Sequence, residues 1–274
     1  MKKQSTVLNY IGLLIGLVLI FIPLFYTVIS AFKETKQITR DFLGMPAPFI
    51  GENFTRLLDD GIGQYFQNSV IITVASVVLI TLFVPMAAYS IARNISRKKA
   101  FGIMYSLLIL GIFVPFQVIM IPITSLMSKF GLSNIPGLII LYLAYAIPQT
   151  LFLYVGFIKN TIPEEIDEAA EIDGAGKLRT YFQIIFPLMK PMHATTLIIN
   201  ALWIWNDFLL PLLILNKDSD NWSLPLFQYN YSGQYFNDFG PSFASYVVGI
   251  VVILIVYLIF QKNIISGMTN GSVK

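Results

Sequence analysis

The densest cluster of chemistry-bearing side chains is a run of six carboxylates within ten residues: Glu164, Glu165, Asp167, Glu168, Glu171 and Asp173. Paired carboxylates serve acid–base chemistry when a partner base or nucleophile stands near. This chain offers few such partners. It has one histidine, His193, and no cysteine. Thiolate zinc sites, cysteine nucleophiles and disulfides are excluded, and a histidine metal cluster or a Ser-His-Asp triad is disfavoured. Gly174-Ala-Gly176-Lys177-Leu178 follows the acids and has the look of the end of a phosphate-binding loop. That motif needs glycine five residues before the second glycine and serine or threonine after the lysine. Glu171 and Leu178 occupy those positions, so no nucleotide site is expected on this chain.

The acidic run reads instead as a local folding signal. Thr161-Ile-Pro-Glu164 has the spacing of a capping box, and Pro163 suits a first helical turn. Carboxylates in the first turns favour the positive end of the helix dipole. Ile162, Ile166, Ala169 and Ala170 fall on one face. Gly174 suits the left-handed residue that ends a helix, and Ala175 to Ile185 reads as a second short helix ending before Pro187. The expectation for 159–191 is a helix-turn-helix hairpin with an alanine-bearing face. Such a face packs on its own bundle or forms a knob for a partner's cleft.

The elements that must carry this hairpin are membrane spans. The chain has 274 residues, of which 56% are hydrophobic and only 12% charged, and its mean hydropathy is +0.71. Low charge and 39 aromatic residues exclude disorder, and the net charge of +3 is no nucleic-acid signature. Six stretches are long and apolar enough to cross a bilayer: 7–32, 68–92, 101–127, 136–158, 192–215 and 243–261. The predicted fold is all-α and integral to the membrane, a single domain over 1–274. Prolines at 23, 85, 115, 148 and 211 fall inside spans, where neighbouring helices can satisfy the freed carbonyls. The first stretch, Val7 to Phe32, has 26 residues, longer than the apolar region of a signal peptide, about 7–15 residues. It is read as an uncleaved span. Gly12 and Gly16 fit a small-residue helix contact.

With the N-terminus inside, 12 of the 18 basic residues fall on the inner side, which puts both termini in the cytoplasm. Lys2, Lys3, Arg93, Arg97, Lys98, Lys99, Lys262 and Lys274 belong to that set. The two long outer segments are 33–67, read as irregular, and 216–242. The second holds Trp222, Tyr229, Tyr231, Tyr235 and Phe236, either an interfacial aromatic belt or a docking surface for an external partner. Asp207 is the only acid in any predicted span and should face a cavity or the bundle interior. Asn206, Trp203 and Trp205 stand beside it. The group fits either a sugar pathway or a helix-packing network. His193, near the start of the fifth span, is read as structural.

Glu168-Ala169-Ala170, three residues, Gly174, nine residues, Ile184, one residue, Phe186-Pro187 resembles the EAA loop of bacterial ABC-importer permeases. Phe186 in place of leucine is the one departure. Asp173-Gly174-Ala175 resembles the extended carbohydrate-permease form. Asn68-Ser69, Pro115-x-Gln117, Ile121-Pro122, Gly131-Leu132-x-Asn134 and Trp205-Asn206-x-Phe208-x-x-Pro211 add to the likeness with maltose-transporter-type permeases, over roughly residues 50 to 215. The resemblance implies a bacterial cytoplasmic-membrane subunit with no catalysis and no cofactor of its own. Its implied partners are a second permease, two ATPase subunits carrying ATP and magnesium, an external solute-binding protein and membrane lipid. ATPase coupling would fall to Glu168, Ala169, Ala170, Asp173, Gly174, Ala175, Ile184 and Pro187. The solute would be a sugar or another small polar molecule. An ion-coupled transporter using Asp207 is the alternative from another class.

Overall fold

A computed structural model describes residues 2–231 and 237–270, with side chains described for 9–231, 237–259 and 261. The fold is helical, with no strand among the described residues. In chain order the helices are α1 (Lys2–Ser30), α2 (Thr35–Arg40), α3 (Glu52–Asp59), α4 (Ile62–Asn94), α5 (Lys99–Leu110), α6 (Phe116–Lys129) and α7 (Ile135–Thr161). Then come α8 (Glu165–Ile172), α9 (Lys177–Thr180), α10 (Phe186–Leu188), α11 (Lys190–Asn206), α12 (Leu209–Leu215), α13 (Leu224–Gln228) and α14 (Phe239–Asn270). Among the described residues, four helices are long and apolar enough to cross a membrane unbroken: α1, α4, α7 and α14.

The chain forms two compact units. One comprises residues 1–66 and 224–255, the other 67–223 and 256–274. In the first, the 33–66 segment is more regular than its glycines and prolines suggested, because it contains α2 and α3. Phe32 stacks on Phe49 at 4.4 Å and lies 5.1 Å from Phe54. Lys33 is fully buried, and its Nζ donates to the Phe42 carbonyl at 2.8 Å. Asn53 Nδ2 donates to the carbonyls of Ala31 and Lys33. By contrast α1 shows apolar side chains on every side, Leu13 at 69% exposure and Ile20 at 68% among them. A helix apolar all round needs lipid or another chain around it.

In the second unit, α7 starts where Asn134 accepts from the Gly137 N–H at 3.0 Å, with proline in the first turn. A Cβ on Gly137 would fall 1.9 Å from the Leu132 carbonyl oxygen, so only glycine fits this close approach.

Two predicted spans are broken. The stretch 101–127 is not one rod: Lys99–Phe113 and Phe116–Lys129 meet at 103°. Pro115 is the cause, because its ring drives Val114 out of the helical region, to φ −83 and ψ 109. The stretch 192–215 breaks at Asp207, which is extended at ψ 127. Pro211 has no N–H to give and its ring would meet the carbonyl of Asp207 in a continuous helix. Restarting as α12 leaves Pro211 in a first turn, where it costs little. The sixth span is longer than predicted, since α14 begins at Phe239 and ends at Asn270.

Candidate functional site

The hairpin between α7 and α11 is built from the turn at Gly174. That residue has φ +76. The Gly174 N–H donates to Glu171 O at 3.0 Å and the Ala175 N–H to Ala170 O at 2.9 Å. This pair of bonds is the Schellman ending, and it gives several of the motif residues structural duties. Ala170 and Ala175 supply the two ends of the bond with the wider sequence span, and Asp173 is the C-cap residue. Ala170 is buried, whereas Glu168, Ala169 and Asp173 are exposed. Two large apolar side chains flank the turn in the open: Ile172 is 86% exposed and Leu178 66%. Glu165, Glu168 and Asp173 lie around them in sequence.

The hairpin departs from expectation at both ends. No capping box forms. Thr161 is still part of α7, Pro163 lies outside any helix, and Glu164 makes no side-chain cap bond at the start of α8. The Glu164 carboxylate is engaged elsewhere, 2.6 Å from Arg97 Nη2. Because α8 starts at Glu165, Ile162 is not on its apolar face, although it is buried in the connection. The second helix begins at Lys177 rather than Ala175 and runs through Pro187 to Leu188. It passes through a π turn at Tyr181–Ile185, where the wider spiral accommodates the donor that Pro187 lacks. Ile184 is half-buried in this turn and Pro187 is exposed.

A cluster from which the sequence reading used only the arginine, and that for orientation, fastens the hairpin to α4. Arg93, in the last turn of α4, donates from Nη1 to Ile162 O at 2.9 Å and from Nη2 to Pro163 O at 3.2 Å. Its Nη2 also pairs with Asp167 Oδ2 at 2.7 Å. Tyr89, one turn earlier, donates to Asp167 Oδ1 and stands 5.6 Å from the Tyr181 ring. The Arg93 guanidinium lies 5.9 Å from the Tyr89 ring centre. A cleft of about 660 Å³ opens beside this anchorage, with Ser90, Glu168 and Lys177 among its lining residues. The available signal was the spacing of Tyr89 and Arg93, four residues apart and so on one helix face, together with the unusually acidic loop.

The second predicted group is only partly brought together. Asp207 Oδ2 accepts from Tyr142 OH at 2.9 Å, and Oδ1 accepts from the Leu209 N–H at 3.1 Å. The carboxylate thus ties the start of α12 to α7. Trp203 meets Tyr142 edge-on at 5.5 Å. Asn206 bonds back to Leu202 O at 2.7 Å, and Trp205 is buried. His193 holds α11 to its neighbours. Its Nε2 faces Phe186 O at 2.9 Å and so carries the proton, leaving Nδ1 to accept from Tyr154 OH at 2.7 Å.

The other unit has a polar cluster of its own. Asp238 accepts from Arg56 Nη1 and from Thr35 Oγ1, the latter at 2.5 Å. Tyr231 OH donates to Asp60 Oδ2 at 2.6 Å. Burial first, then that bond and the charge of Asp60, hold the Tyr231 phenol well above its ordinary value near 10. Of the aromatic residues assigned to a belt or docking surface, Tyr231 is buried, Trp222 is half-buried and Tyr229 is exposed. Tyr235 and Phe236 lie outside the described residues, as do the side chains of Lys2, Lys3, Lys262 and Lys274.

Long apolar helices, two broken ones and a charged hairpin between α7 and α11 describe a multi-span membrane protein. The family profile of the binding-protein-dependent transport system inner membrane component matches residues 84–270. The chain belongs to that family. It is 69% identical over 277 residues to the multiple sugar-binding transport system permease protein MsmG of Streptococcus mutans serotype c, covering 100% of both chains. It is 34% identical to the diacetylchitobiose uptake system permease protein NgcG of Streptomyces coelicolor, over 98% of this chain and 89% of that one. The crystal structure of a bacterial ABC transporter involved in the import of the acidic polysaccharide alginate has the same fold. The TM-score is 0.81 at 21% identity, over 95% of this chain and 96% of that chain.

Proposed function

We propose that this chain is the permease subunit of an ABC importer that brings a sugar or oligosaccharide into a bacterial cell. The observation that carries the reading is the hairpin tip, where Ile172 and Leu178 stand exposed beside a rigid Schellman turn with carboxylates around them. Exposed apolar side chains with a charged surround mark a partner surface. The partner is a cytoplasmic ATPase whose groove takes the tip and whose basic residues meet Glu168. Ala169 lets its backbone come close. ATP and magnesium are held there and not on this chain, which performs no catalysis. A second permease chain, two ATPase subunits and an external solute-binding protein complete the assembly. Both termini and the hairpin face the cytoplasm, by the distribution of basic residues. The sugar assignment is supported by the names of the two relatives above.

The test is purification of the tagged chain from its native cell in mild detergent, with mass identification of its companions. The expected result is an ATPase and a second multi-span chain. Uptake of labelled oligosaccharides should then require ATP, and Glu168→Lys should abolish it while membrane insertion persists. Recovery of the chain alone, with uptake that follows an ion gradient and fails in Asp207→Asn, would overturn the reading.

A further inference from the structure

The connection from α7 into the hairpin is three non-helical residues, Ile162, Pro163 and Glu164. Pro163 locks one φ of this joint, but the remaining backbone torsions still allow α8 to bend relative to α7. Arg93 spans the joint. One guanidinium binds both hinge carbonyls, Ile162 O and Pro163 O, and also Asp167 in the first turn of α8. A planar guanidinium presents its donors in a fixed fork, so the three oxygens cannot move independently while it stays seated. Tyr89 donates to Oδ1 of Asp167, and Oδ2, which accepts no hydrogen bond among the described residues, faces Arg93 as an ion pair, so both oxygens of that carboxylate are met from α4. The pair is shielded as well: the Arg93 side chain is 12% exposed and that of Asp167 23%. The neighbouring Arg97–Glu164 pair is 64% and 50% exposed, in the range where ion pairs contribute little.

We propose that Arg93, seated by Tyr89 and Asp167, is a positioning residue that makes the hairpin and the end of α4 move as one body. Force applied at the tip then reaches the membrane part through α4 directly and not only through the α7 joint. The inference rests on the reading that an ATPase docks at that tip, and its test separates the two.

The experiment uses the assembled complex in lipid and reads solute moved per ATP hydrolysed. Arg93→Met should keep ATP hydrolysis but lower that ratio by about tenfold or more, because it removes two hydrogen bonds and the ion pair to Asp167. Arg93→Lys, which keeps the charge but loses the fork, should fall between. Arg97→Ala should leave the ratio unchanged. The chain has no cysteine, so spin labels can be placed at Ser90→Cys on α4 and Lys177→Cys on the hairpin by labelling this chain before the complex is reassembled. With Arg93 in place, the distance between them should be the same without nucleotide and with ATP trapped. A distance that changes between those states would overturn the proposal even if the Arg93 variants fail to assemble. An unchanged transport ratio in Arg93→Met would overturn it too. Absence of an ATPase from the wild-type complex would instead overturn the docking reading, and the coupling role of Arg93 with it.

Discussion

The hairpin and the polar cluster that joins 33–66 to 224–255 use the same physical devices at very different ranges. At the Gly174 turn the decisive bonds join residues three to five positions apart. In the other unit they join Thr35 to Asp238, Arg56 to Asp238 and Asp60 to Tyr231, at sequence separations of 203, 182 and 171. A short-range turn is written in its own few residues and forms wherever they stand. A long-range polar cluster exists only once the two segments have met, and neither segment announces the other. The family profile begins at residue 84, so it spans the hairpin and omits the 33–66 segment. The hairpin's role is thus read from a shared pattern, and that of the 33–66 segment from its own contacts.

The comparison is tested hardest at Gly174. If the hairpin is set by local backbone geometry, Gly174→Val should abolish transport without preventing insertion. A left-handed residue costs about 1–2 kcal/mol once it bears a Cβ, and a β-branched side chain is the least tolerant. Its chain neighbours aside, no heavy atom of the described residues lies within 4 Å of a Cβ built there, so backbone strain and not a clash must be responsible. Gly174→Asn, which tolerates this conformation, should retain much of the activity in the same uptake assay. Equal loss in both variants would show that the site needs space for a partner rather than a turn.

That distinction explains what sequence reasoning reached and where it failed. The turn at Gly174 and the helical, membrane-spanning character of the chain depend on composition and short spacing, and both were legible. The capping box failed because Thr161 remained in α7 and Glu164 paired with Arg97, a competitor 67 residues away. Pro115 and Pro211 were visible as interruptions. Whether a proline bends a helix or is absorbed depends on what its neighbours can accept, and here Val114 and Asp207 both left the helical region. Pro85, in contrast, sits inside an unbroken α4. Arg93 was counted for its charge, and its fork across the hinge is a tertiary fact. Asp207 was expected to face away from lipid; its bond to Tyr142 gives that a structural cause.

A second test asks whether the long-range unit depends on its central carboxylate. Asp238 is buried and joins two segments, so Asp238→Ala leaves Arg56 and Thr35 without their shared acceptor. The expected loss is about 1–3 kcal/mol, seen as a lower melting temperature in lipid nanodiscs and earlier proteolysis within 41–51. Arg56→Ala should cost less, about 1 kcal/mol or below, because the Arg56 side chain is 51% exposed. The hairpin variants should leave melting of this unit unchanged. If they shift it as much as Asp238→Ala does, the two regions are not independent in stability.

The smallest expected effect is a pH dependence confined to the same unit. Tyr231 is held protonated by burial and by its bond to Asp60, so its folded value lies above its unfolded value near 10. Above that pH the unfolded chain gives up the proton while the folded chain retains it, so the folded state binds more protons and stability falls as pH rises. The contribution is fully present below pH 10 and is lost as pH climbs through the raised folded value. Tyr231→Phe removes the titrating group, so its melting temperature should fall less steeply above pH 10 than that of the wild type. Below pH 9 the variant should be somewhat less stable, because Asp60 loses a hydrogen-bond donor. Parallel melting curves for the two proteins above pH 10 would show that the phenol is more open to water than its contacts imply, and would weaken the contrast between a buried long-range cluster and an exposed hairpin tip.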